Sequence, residues 1–144
     1  MISTIEEYIR LCDSDCRSDN RRTIVEELSH DVVSTILNHY PERLVWLAHN
    51  KRLPLEVLEI LSNNETEDIR FTVAMTRRCN RKIFENLLLD KSESIRLILV
   101  RNKKLPMDLL EKLIMDNDTN VSSAAREEYI KRKSKQVNNK QQPD

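Results

Sequence analysis

The stretch Ile69-Arg70-Phe71-Thr72-Val73-Ala74-Met75-Thr76-Arg77-Arg78-Cys79-Asn80 is answered 26 residues later by Ile95-Arg96-Leu97-Ile98-Leu99-Val100-Arg101-Asn102-Lys103-Lys104-Leu105-Pro106. Val121 opens a third copy at the same spacing, and Arg43-Leu44 holds the corresponding place upstream. The agreement runs on through Leu58, Phe84 and Leu110, then Glu59, Glu85 and Glu111, then Leu61, Leu87 and Leu113. Self-similarity at a fixed period of this size is the mark of a solenoid, in which each unit buries its apolar face only against its neighbours.

Within the unit Ile95 to Asn120, a short apolar run leads to a basic turn and then to Leu105-Pro106. A second run from Met107 to Asp116 sets Leu109, Leu110, Leu113 and Ile114 on one stripe at helical spacing. Pro106 suits the first helical turn, where a missing N–H costs nothing. Each unit therefore reads as a short apolar helix, a tight basic turn and a longer amphipathic helix. Acidic connectors (Asn64 to Asp68, Asp90 to Ser94, Asp116 to Asn120) lead from one unit to the next. Arg70 and Arg96 stand beside these connectors, as rungs of an ion-pair ladder would. The chain has no glycine, so asparagine is the residue expected to end helices, through left-handed geometry or side-chain bonds to nearby backbone. Asn50 and Asn102 occupy matching turn positions, with Thr76 between them in register.

The ends fit the repeat loosely, as the terminal units of a solenoid must where they meet water. Ser3-x-x-Glu6 has the pattern of a capping box before Ile5, Tyr8 and Ile9. A second helix carries Ile24, Val25 and Leu28 after Asp19 or Asn20, and a third carries Val32, Val33, Ile36 and Leu37. Downstream, a closing helix runs from Val121 to about Lys133, and the polar residues 134–144 read as a disordered tail. The expected architecture is all-α: one solenoid domain over 1–133, with atypical N-terminal helices (1–42), about three two-helix repeats (43–120) and a C-terminal capping helix (121–133).

At this level of detail the repeats resemble the leucine-rich repeat variant family, a bacterial relative of HEAT-type helical repeats. Arg101 to Leu110 carries the nearest match, Asn50 to Leu61 is almost as good, and the similarity spans about residues 43–126. The resemblance implies a right-handed stack of alternating short and long helices, and it implies no single activity, since such repeats are scaffolds. One family member carries an iron–sulfur cluster on a cysteine-rich N-terminal segment. Such a cluster takes four thiolates, whereas this chain has only Cys12 and Cys16 near its start and Cys79 far along. No cofactor is expected.

Composition narrows the function classes. Without glycine there is no Walker loop, dinucleotide fingerprint or nucleophile elbow. No apolar run reaches the roughly 20 residues that span a bilayer. Three cysteines form no paired framework, which points to reduced thiols and a cytoplasmic protein. Formal net charge is zero, but it is unevenly spread: residues 1–31 hold eight acids against four bases, and residues 121–144 hold three against six. The three histidines are scattered, and no acid/base pair, nucleophile constellation or metal spacing stands out.

The basic turns are the leading candidate site. Lys51-Arg52, Arg77-Arg78 and Lys103-Lys104 place two cations at the same register of each unit. Stacking would line six cations along one edge and the acidic connectors along the other. Helix-end chemistry is the competing reading, since bases favour helix C-termini and acids N-termini. Trp46, the one tryptophan, takes the place of Thr72 and Ile98; it is either an interface anchor or a packed core aromatic. Met107 and Met115, with Leu55 and Leu89, could form a sticky groove or simply pack between repeats. These features point to a non-enzymatic module that binds one protein, in the manner of a small bacterial inhibitor sequestering a cognate toxin, as immunity proteins do. A general scaffold or adaptor fits the same features. Nucleic-acid binding along the basic turns is a further alternative, disfavoured because a DNA-binding domain is usually basic overall. Oligomeric state is left open.

Overall fold

In the computed structural model, which describes residues 1–140, the 26-residue sequence period is a period of helices. Helices α5 (Leu55–Ser62), α7 (Arg81–Leu88) and α9 (Met107–Leu113) start at equivalent positions. So do α6 (Glu67–Met75), α8 (Glu93–Arg101) and α10 (Thr119–Lys140). Upstream lie α1 (Ile5–Cys12), α2 (Arg17–Val25), α3 (His30–His39), a 3-10 turn at Pro41–Arg43 and α4 (Leu44–Ala48). The fold is all-α. Its one extended contact among the described residues is an isolated parallel bridge between Ile2 and Leu28. No described helix is long and apolar enough to cross a membrane.

Burial follows the same period. Leu47, Val73, Leu99 and Ala125 are fully buried, as are Ile69, Ile95 and Val121, and likewise Leu61, Leu87 and Leu113. The chain forms two compact units, residues 1–76 and residues 77 onward. In the first, α2, α4 and α6 pack successively side by side, α5 packs on α6, and α1 and α3 complete the core. In the second, α7 packs on α8 and α9, and α10 packs on α8 and α9. Burying a leucine or isoleucine side chain contributes roughly 1.5–3 kcal/mol, so these repeated positions are the main source of cohesion in each unit.

Turns in a chain without glycine need another device, and here it is the Asx side chain. Asn64 Oδ1 accepts from Thr66 N, Asp90 Oδ1 from Ser92 N, and Asp116 Oδ1 from Asp118 N, at 2.9, 3.0 and 2.9 Å. Asn50 Oδ1 and Asn102 Oδ1 do the same for Arg52 N and Lys104 N. Each bond mimics a backbone turn. None of the described residues has positive φ, so the expected left-handed asparagines are absent: the side-chain bond alone bends the chain, without Cβ strain.

Several other expectations need correction. The alternation of short and long helices is found only in α4 and α5, with five and eight residues; beyond them α6 and α8 have nine, α7 has eight and α9 has seven. The acidic residues Glu67, Asp68 and Glu93 belong to first helical turns, where their charge suits the dipole, rather than to connectors. Pro54 and Pro106 sit at the N-cap, one step before the first turn. Thr4, not Ser3, caps α1, its hydroxyl accepting from Glu7 N. Helix α2 starts at Arg17 and stops at Val25, before Leu28, which is bridged to Ile2 through its neighbours: Ile2 N donates to the Glu27 carbonyl and Ser29 N to the Ile2 carbonyl. Helix α10 continues past Lys133 to Lys140, so residues 134–140 are helical rather than disordered. Local bonds sustain it, Glu128 with Arg132 and Ser134 Oγ with the Ile130 carbonyl, and its residues beyond Lys133 include no helix breaker. The expected disorder of residues 141–144 lies outside the described residues.

Candidate protein-binding surface

The turn after α4 anchors the first candidate group. Asn50 is buried, and its Nδ2 donates to the carbonyls of Thr23 and Glu26 at 2.7 and 2.8 Å. Its amide thereby satisfies orphan carbonyls at the end of α2, a structural role that explains an asparagine at this position. The same contact places Lys51 and Arg52 beside α2. Lys51 N donates to the Ile24 carbonyl at 2.7 Å and Arg52 Nε to the Val25 carbonyl at 2.9 Å. Both side chains are exposed.

Trp46 is neither a core aromatic nor a fully exposed anchor. It is half-buried and lines a hollow of about 440 Å³ with Ile24, Val45 and His49. Packing of α2 on α4 brings Ile24 to it, and sequence reasoning had no signal for that partner. Trp46, Lys51 and Arg52 thus share one neighbourhood in the first unit.

The other four predicted cations belong to the second unit. Arg77 and Arg78 precede α7, and Lys103 and Lys104 precede α9. The starts of those helices are tied by a bidentate pair, Arg81 Nη2 and Nη1 to the Asp108 carboxylate at 2.6 and 3.3 Å. The two basic turns therefore lie at the same end of the unit. Arg77, Lys103 and Lys104 are exposed, while Arg78 is half-buried. Lys103 and Lys104 take no part in an ion pair with any described carboxylate. Their turn is braced from α10, where Arg132 donates to the carbonyls of Leu105 and Asn102 at 2.8 and 3.1 Å.

The arginines beside the connectors hold structure together. Arg70 is buried and donates to the Asn64 and Glu65 carbonyls, both at 2.8 Å. Arg96 donates to the Asp90 carbonyl at 2.6 Å and grips the Asp116 carboxylate at 2.7 and 3.0 Å. The Arg96 guanidinium holds the Asp116 carboxyl below its usual range. Above this pair, Leu89 and Met115 are 84% and 83% exposed, beside a hollow of about 280 Å³. Of the four residues of the suspected sticky groove, these two project fully into solvent; Leu55 is 37% exposed and Met107 half-buried.

Chemistry-bearing groups are sparse. Burial pushes the Cys12 thiol up, whereas hydrogen bonds from Ser18 bring the exposed Cys16 thiol down. No group of three or more His, Cys, Asp or Glu among the described residues is arranged to hold a metal ion. No family model, curated protein or solved structure matches the chain.

Proposed function

We propose that this chain is a non-enzymatic, protein-binding α-solenoid that captures one partner, acting as a small bacterial inhibitor of the immunity type that sequesters a cognate toxin. The observation that carries the reading is Trp46, held half-exposed in the wall of a hollow next to the exposed Lys51 and Arg52. A large aromatic with apolar neighbours and a cationic rim is the composition of an interface hot spot, in which a few aromatic and arginine side chains supply most of the binding energy. The basic end of the second unit, with Arg77, Arg78, Lys103 and Lys104, would speed association electrostatically.

The test is an affinity pull-down from host lysate after nuclease treatment, comparing wild type, Trp46→Ala, and a variant with Arg77, Arg78, Lys103 and Lys104 all changed to glutamate. One protein held by wild type in a stable complex and lost from either variant is the expected result. Retention of nucleic acid alone before nuclease treatment would overturn the reading and favour the basic turns as a phosphate-binding edge.

A further inference from the structure

Several cations stand close to the residues that line the Trp46 hollow. On α2, Arg17, Arg21 and Ile24 share a stripe at helical spacing. Arg17 and Arg21 are exposed and enter no ion pair among the described residues. Arg22, on the other side of the helix, is engaged by Glu7 and Glu26 at 2.9 and 2.6 Å. Glu26 also meets the N-terminal ammonium, so its charge is spent locally. From the turn after α4, Lys51 N donates to the Ile24 carbonyl and the Arg52 guanidinium to the Val25 carbonyl, so both residues stand beside the Ile24 end of α2. Glu27, just past the end of α2, is the exposed acid nearest in sequence to Ile24. Helix α4 has no acidic residue of its own, and Glu42, in the 3-10 turn before it, stands 3.9 Å from Arg43.

Helix-end chemistry accounts for the cations after α4. It does not account for an indole left half-exposed among Ile24, Val45 and His49. The hollow, at about 440 Å³, is open to solvent and walled by these four residues.

We propose that the hollow receives one large apolar side chain from an acidic segment of a partner protein, with the flanking carboxylates of that segment meeting Arg21 and Arg52. This deepens the protein-binding reading and rests on it. Arginine would give the contact directional, bidentate recognition of carboxylates, and burial of the apolar side chain would fix its register.

Trp46 is the only tryptophan, so its fluorescence reports on the hollow alone. The probes are a short synthetic peptide of aspartates and glutamates around a central phenylalanine, a counterpart with alanine at the centre, and a counterpart with lysines in place of the acids. Each is titrated against the full chain and against Arg21→Glu/Arg52→Glu, with far-ultraviolet dichroism as the check on folding. Arg21→Glu alone, at an exposed position, serves if the double variant unfolds. The acidic phenylalanine peptide should give a saturable emission shift and bind at least about tenfold more tightly than either counterpart, a margin of about 1.4 kcal/mol. On the charge-reversed variant the preference should invert in favour of the lysine peptide. Equal affinity for acidic and lysine peptides, or no saturable shift with any of them, would overturn the proposal. If lysate capture still depends on Trp46 while no peptide shifts its emission, the acidic-segment proposal fails and the protein-binding reading stands.

Discussion

Replacing Asp116 with asparagine tests how the second unit is held together. The Asp116 carboxylate accepts from Arg96 Nε at 2.7 Å, Arg96 Nη2 at 3.0 Å and Asp118 N at 2.9 Å. Its side chain is 7% exposed and that of Arg96 is 15% exposed, so the pair is largely shielded, with solvent reaching it from the hollow that both residues line. Removing one partner from a buried pair costs about 3–5 kcal/mol, mostly because the other charge is left uncompensated. Asparagine keeps one acceptor oxygen, and Arg96 keeps the Asp90 carbonyl at 2.6 Å, which places the expected loss lower, at about 2–3 kcal/mol. For a domain of this size that is on the order of 6–12 °C in the unfolding midpoint. The pH dependence has a definite sign. Arg96 depresses the folded-state pKa of Asp116, so the unfolded chain binds this proton more readily. The stabilisation is therefore fully present above the unfolded carboxylate value of about 3.9, and it is lost as pH falls through the lower folded value. Urea unfolding of wild type and Asp116→Asn at neutral pH and towards pH 3, with amide hydrogen exchange read separately in α8–α10, measures both effects. A neutral-pH difference below about 0.5 kcal/mol, the scatter of ordinary surface substitutions, would refute the reasoning, as would a difference that fails to shrink in acid.

Two further perturbations probe the turns and the exposed apolar pair. Asn50→Ala removes two buried bonds to the Thr23 and Glu26 carbonyls and the Asx bond to Arg52 N; a loss of about 2–4 kcal/mol is expected in denaturant unfolding, together with a change in Trp46 emission. Leu89→Gln with Met115→Gln removes apolar surface that is already in water, so stability should move by less than about 1 kcal/mol; a larger destabilisation would show that these side chains are packed in the folded state.

Much of the fold was legible because helical repeats make burial a local, periodic property. Ile69, Ile95 and Val121 are equivalent in the chain and all buried in the structure, since each takes the same place, the third residue, in a helix that starts at the same point of the period. The turn logic was half legible. Asn50 and Asn102 stand out at matched positions in a chain without glycine, but the bonds that Asn50 sends to α2 connect residues more than twenty apart. Helix lengths were misjudged for a reason of the same kind. Glu67 and Glu93 look like connector residues by polarity, yet first-turn positions favour acids and expose them, so polarity alone does not end a helix there.

The sequence by itself determined the all-α class, the 26-residue spacing of helices and the identity of the repeated core, because apolar periodicity specifies which face of each helix is buried. It also marked the six basic-turn residues and Trp46 as singular. Only the tertiary structure decided what those residues can do. Docking of α2 on α4 turns Trp46 into the wall of a hollow with Ile24, and the Arg81–Asp108 pair brings the turns before α7 and α9 to one end of the second unit. Arg96 closes on Asp116, twenty residues away. Those partners are distant along the chain and their pairing depends on the geometry of packed helices, which residue type and spacing do not encode.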